Sequence, residues 1–136
     1  MKTFQLYILA ADKVLFEGKC ESLIVPSIKG RYGIKANHSN TISAIVSGML
    51  SYKAEGEEMK AASVSDGMLK IENNEVLVLV DSAEKPEEID VNRAKKAEAA
   101  AKEELLQKRS IQEYRAAQAH LARAISRLNV KKHTVN

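Results

Sequence analysis

The chain has 136 residues, enough for one compact core, or a compact domain with an appendage, without help from disulfides or metals. Its one cysteine, Cys20, cannot close an internal bridge, and polar residues interrupt every apolar run well short of a membrane span, so the reading is a soluble protein of a reducing compartment. The net charge of +3 hides a split. Residues 1–88 carry 10 Lys/Arg against 13 Asp/Glu, and residues 89–136 carry 11 against 5. A basic appendage on a mildly acidic body suits an acidic protein surface, a phosphate ligand or nucleic acid.

In chain order, no apolar leader follows Met1-Lys2-Thr3, consistent with a cytoplasmic protein that can still sit on a membrane complex. "FQLYILA" (4–10) then alternates Phe4, Leu6 and Ile8 against Gln5 and Tyr7, the period of a half-buried strand. "KVLFEG", "ESLIVPS", "GMLSYKA", "GMLKIE" and "EVLVLVD" follow at short spacing. "GRYG" (30–33) reads as a turn, being too short and lacking the Lys-Ser/Thr of a phosphate-cradling loop. Asn73-Asn74 reads as a hairpin turn because asparagine tolerates positive φ. Short strands with regular turn signals predict an antiparallel sandwich or barrel.

After Asp81 the pattern changes. Pro86 suits a first helical turn and Asp90 an N-cap, and strong helix formers run from Val91 to about Lys108. Arg109-Ser110 marks a break, with Ser110 able to cap a second helix. That helix places Ile111, Tyr114, Leu121, Ile125 and Leu128 on one stripe, and the first helix offers Val91, Ala94, Ala101 and Leu105. A helical hairpin of modest buried area is predicted, with residues 1–86 forming the sandwich and residues 87–136 the hairpin.

Catalysis finds no support. His38, His120 and His133 lie far apart and lack partners at ligand spacing, no nucleophile–base pairing stands out, and neither a catalytic residue nor a metal site is expected. The basic second helix is more informative. Arg123 and Arg127 are one turn apart, Arg115 points roughly the same way, and only Glu113 offsets six Lys/Arg between Arg109 and Lys132. A solvated face is the plain reading, although such faces usually mix signs. Nucleic acid is disfavoured because the tail has a single aromatic, Tyr114, for base stacking.

The order of segments resembles the epsilon subunits of bacterial F-type rotary ATP synthases nearly end to end. The resemblance rests on "FQLYILA", "VLFEG", "SLIVPSIKGRYGIKANH", "VSDGMLKI", "EVLVLVDSAEKPEEIDVNRA" and "RAISRLNV". It implies a two-sheet β-sandwich docking domain and a two-helix regulatory hairpin, in a non-catalytic subunit of the central stalk. It further implies gamma, the c-ring and, when the hairpin extends, the beta subunit as partners, with membrane contact at the cytoplasmic face only through the complex. Lys29, Arg31, Tyr32 and His38 match the sandwich face toward the partners, and Arg115, Arg123 and Arg127 the face toward beta. No cofactor is required, but ATP is implied as a regulatory ligand through "IDVNRA". Its residues would be Glu84, Ile89, Asp90, Arg93 and Ala94, with Arg123 and Arg127 from the second helix. Two departures stand out: Ala100 where strong ATP binders carry a further arginine, and Arg31 with Ala36-Asn37 where the sandwich loop usually has an acid and Pro-Gly.

Overall fold

The computed structural model describes residues 2–106 and 110–134. Strands β1 (Phe4–Ala10) and β2 (Lys13–Ser27) are followed by β3 (Gly30–Lys35), β4 (Thr41–Ile45) and β5 (Gly48–Ala54). Then come β6 (Met59–Val64), β7 (Gly67–Glu72), β8 (Glu75–Val80) and the two-residue β9 (Ala83–Glu84). A 3₁₀ turn at Pro86–Glu88 leads into helices α1 (Val91–Leu106) and α2 (Ile111–Thr134). The ladder runs β4-β7-β8-β1-β2-β5-β6-β9, with β3 pairing on β2.

The two layers of the sandwich share β2. Up to Cys20 this strand pairs with β1, and beyond it with β5 and β3. A register shift between Cys20 and Ser22 marks the crossing. The Glu21 carboxylate pins that shift, accepting from Lys53 Nζ at 2.6 Å and from the Gly56 N–H at 3.0 Å. These donors hold its pKa below the ordinary carboxylate value. Phe4, Leu6, Ile8, Leu23, Leu50, Leu69 and Val78, each at 1 % exposure or less, meet in one core between the layers. Burying each such side chain is worth about 1.5–3 kcal/mol, so the sandwich is the stable part of the molecule.

Several sequence expectations change here. β1 pairs with β8 in parallel, the single parallel ladder among antiparallel ones in the described residues. "KVLFEG" and "ESLIVPS" are one strand, because Gly18 stays in the ladder opposite Leu6 and makes room for the Phe16 ring instead of turning. "GRYG" is the start of β3 and not a turn: the loop is Ile28-Lys29, closed by the Ser27–Gly30 pair, with Gly30 at φ 112°. Asn73-Asn74 does form the expected two-residue turn, with φ of 51° and 63° and Glu72 facing Glu75. β4, β6 and β9 carry no signal strong enough to be expected.

The helices begin as their caps dictate. Asp90 Oδ1 accepts the Arg93 N–H at 3.1 Å, and Ser110 Oγ accepts the Glu113 N–H at 3.2 Å. The expected end of α1 near Lys108 and the break at Arg109 lie outside the described residues. α2 lies on β5 and β6, and α1 lies on α2. The expected apolar stripe is only in part the packed face: Leu121 and Leu128 are half-buried. Ile111 is 72 % exposed, Tyr114 47 % and Ile125 37 %, whereas Ala117, Ala124, Ser126 and Val130 are buried. In α1 the buried residues are Ala94 and Ala101. Alanines seven apart in each helix let the two backbones approach closely, at the expense of apolar area.

Candidate functional site at the sandwich–hairpin junction

β9 ends at Glu84, a 3₁₀ turn follows at Pro86–Glu88, and Asp90 starts α1, which packs on α2. A cleft of about 460 Å³ opens where these pieces converge. Glu84, Glu88, Asp90, Arg93, Ala94, Ala97 and Arg127 line it. Five of the residues expected at a nucleotide site are therefore brought together: Glu84, Asp90, Arg93, Ala94 and Arg127. Ile89 is buried to 4 % and donates its N–H to the Pro86 carbonyl at 3.2 Å, supporting the turn from behind the cleft. Arg123 does not line the cleft; its Nε donates to the Ala119 carbonyl of its own helix at 3.4 Å.

The charges in the cleft are already organised. Arg127 Nε donates to Glu84 Oε1 at 2.6 Å, tying α2 to β9. Glu88 Oε2 accepts from Lys13 Nζ at 2.7 Å, and its Oε1 accepts the Lys85 N–H at 3.0 Å. The Lys13 bond, then the backbone bond, lower the Glu88 pKa. Asp90 is occupied by its cap. Beyond the backbone N–H that Asp90 caps, the Arg93 guanidinium has no hydrogen bond or ion pair among the described residues, which leaves it a free cation facing the cleft. Ala97, one turn beyond Arg93, keeps that wall low, and Ala100 is exposed on the same side of α1. Glu88 and Ala97 were not singled out from the sequence; the i, i+4 step from Arg93 would have pointed to Ala97.

The other expected residues lie apart from the cleft. Lys29 sits in the exposed β2–β3 turn. Arg31 Nη2 donates to Ser51 Oγ at 2.9 Å, bracing β3 across to β5. His38 Nδ1 is 2.8 Å from the Ser39 carbonyl, which can only accept, so Nδ1 carries the proton. In the neutral ring Nε2 then accepts from the Tyr32 hydroxyl at 2.6 Å, with the rings edge-on at 5.6 Å. Arg115 is exposed on α2.

A two-layer β-sandwich joined through a polar cleft to a two-helix hairpin defines the class of this protein. The chain belongs to the ATP synthase delta/epsilon chain family: the family's β-sandwich domain matches residues 3–86 and its long α-helix domain residues 87–132. It is 43 % identical over 129 residues to the ATP synthase epsilon chain of Ruminiclostridium cellulolyticum, covering 95 % of this chain and 96 % of that one. It is 40 % identical over 130 residues to the epsilon chain of Caldanaerobacter subterraneus, covering 95 % and 94 %. Among solved structures, a chain of the Euglena gracilis mitochondrial ATP synthase superposes with a TM-score of 0.81 at 17 % identity, covering 100 % of this chain and 83 % of that one. A chain from the central stalk and c-ring of the Tetrahymena thermophila enzyme gives 0.66 at 11 % identity, covering 93 % and 95 %. At such identities the two structures speak for the fold.

Proposed function

We propose that this chain is the epsilon subunit of an F-type proton-translocating ATP synthase. It is a non-catalytic central-stalk subunit that couples gamma to the c-ring and restrains ATP hydrolysis through its C-terminal hairpin. It works at the cytoplasmic face of the membrane, held there by the complex. Among the described residues no helix is long and apolar enough to cross a membrane.

The outer face of the sandwich supports a docking role. The strand registers set Ala44, Met68, Leu79, Leu9 and Val14 in one row across β4, β7, β8, β1 and β2. Val14 is 58 % exposed, Met68 40 % and Leu79 38 %. An apolar row of this width on a sheet face suits a protein partner, and gamma is the partner assigned to it. Lys29, Arg31, Tyr32 and His38, on and flanking β3, are the residues assigned to the c-ring contact.

The observation that carries the regulatory reading is where the walls of the cleft come from. β9, the 3₁₀ turn, α1 and α2 all contribute, so the cleft exists only while the hairpin lies on the sandwich. ATP is the ligand proposed there. Arg93 meets the phosphates at once, and Arg127 does so by exchanging Glu84 for a phosphate, since guanidinium forks match both anions. Arg123 joins by releasing the Ala119 carbonyl. Glu84, Ile89, Asp90 and Ala94 shape the base and ribose side. ATP at 100 times its dissociation constant favours the docked hairpin by about 2.7 kcal/mol, and arginines holding phosphate are withdrawn from beta.

Two measurements test this reading. A fragment of residues 1–86 should bind gamma; a folded fragment that fails to bind contradicts the docking assignment. Calorimetric titration of the whole chain should show saturable ATP binding that Arg93→Ala abolishes. No heat with millimolar ATP would mean that Ala100 has removed the site and that "IDVNRA" serves as a helix cap alone.

A further inference from the structure

A second pocket, of about 480 Å³, opens on the other side of the junction, where the linker at Lys85–Glu87 and the end of α2 pass the edge of β6. Its lining has the opposite electrostatics to the cleft. Three ammonium groups, Lys60, Lys85 and Lys131, face one carboxylate, Glu87, whereas the cleft offers three carboxylates and two guanidiniums.

Two further features favour an anion. β9 pairs with β6 only at Ser63 and Val64, so among the described residues no strand covers that edge of β6 from Met59 to Ala62. Met59, Lys60 and Ala61 line the pocket along that edge, where a backbone N–H not used in the ladder can meet an acceptor. Tyr52, directly opposite Lys60 in the ladder, is only 4 % exposed, yet its hydroxyl has no hydrogen-bond partner among the described residues. No buried side-chain oxygen in the described residues lacks a partner, so that hydroxyl opens onto the pocket it lines. Met59, half exposed, and Pro86 add an apolar wall. Lys60 is held by Glu57 at 3.1 Å in an exposed pair that a better anion displaces.

We propose that this pocket binds a small soluble phosphate monoester. The phosphate lies among Lys60, Lys85, Lys131 and the Tyr52 hydroxyl, and the organic body lies against Met59 and Pro86. The site shares no residue with the ATP cleft. Lys131 donates to the Pro86 carbonyl at 3.0 Å, joining α2 to the linker across the pocket. The pocket is therefore complete only with the hairpin docked, and its ligand favours that state by mass action.

The test uses the full chain carrying Arg93→Ala, which silences the ATP cleft, titrated at low salt with phenyl phosphate and with inorganic phosphate by NMR. Saturable shifts at Lys60, Lys85 and Ala61 with both probes, tighter for phenyl phosphate, are expected. Lys60→Ala with Lys85→Ala should weaken binding by about tenfold or more, as loss of two charged donors demands. Both lysines are exposed, so this variant should stay folded. Tyr52→Phe, which keeps the core ring, should weaken it less. No saturable shift, or binding undiminished in the double-lysine variant, overturns the proposal. So does a chain that sediments with phosphatidylcholine vesicles carrying phosphatidic acid while ignoring both soluble probes.

Discussion

At the scale of single residues, the junction is held by polar contacts that a ligand or a proton can exchange. Lys13–Glu88 and Arg127–Glu84 are partly exposed pairs, each worth about 0–1 kcal/mol, and both reach from the sandwich or its linker to a neighbouring element. The Glu88 carboxyl titrates below its ordinary value because Lys13 bonds its charged form. A depressed folded-state pKa means a contribution present at neutral pH and lost as the pH falls through that lowered value. Lys13→Ala should therefore raise the Glu88 pKa toward the ordinary range, read by NMR of its side chain. An unchanged value would show that the Lys85 N–H alone accounts for the shift. Ser63 and Ser126 make the buried counterpart, an Oγ–Oγ contact of 2.8 Å between β6 and α2. Cys20 stays out of this chemistry: burial first, then Glu57 and Glu21, push its thiol up to about 11.

At the scale of elements, the hairpin is held by small side chains. Its internal seam is Ala94 and Ala101 with Ala117 and Ala124, and its seat on the sheet is Ser126 and Val130 on a β6 whose outer residues are Ala61 and Ser63. Small side chains bury little area, so at about 25 cal/mol per Å² the seam contributes little. Ala124→Leu should overpack the seam, at a cost of about 1–3 kcal/mol. Faster hydrogen exchange throughout α1 and α2 with the sandwich unchanged is the expected outcome. Unaltered exchange would show that the helices are not closely packed there. The same small residues explain what was hard to read. β1 and β7 alternate large apolar and polar side chains, β8 is a run of Val and Leu, and all three were legible, as was the Asn73-Asn74 turn. β6 was not, because the face that receives α2 must be small, and "MKAASV" then lacks a strand pattern. On α2 the large residues Ile111, Tyr114 and Ile125 suggested a core stripe, but close approach selects Ala117 and Ala124 instead. The cleft was more legible than the helix packing. Its charged residues belong to one contiguous motif and one arginine on α2, and chemistry that needs particular side chains leaves a clearer trace than packing that many small ones satisfy.

At the scale of the whole molecule, a firm sandwich carries a hairpin whose basic α2 faces two claims on the same arginines. Docked, Arg127 holds Glu84; under the proposed function it exchanges Glu84 for a phosphate, and on release it pairs with an acidic surface of beta together with Arg115 and Arg123. Exposed pairs are individually weak, so inhibition requires them jointly. The central claim is that the hairpin acts as a brake on hydrolysis. The most direct measurement is ATP hydrolysis by the reconstituted complex, comparing the whole chain with one ending at residue 86. The account predicts faster hydrolysis with the truncated chain, and much of the same increase when Arg115, Arg123 and Arg127 are all replaced by alanine. Hydrolysis unchanged by the truncation, in a complex that still assembles, would contradict it and leave the hairpin a passive part of the stalk.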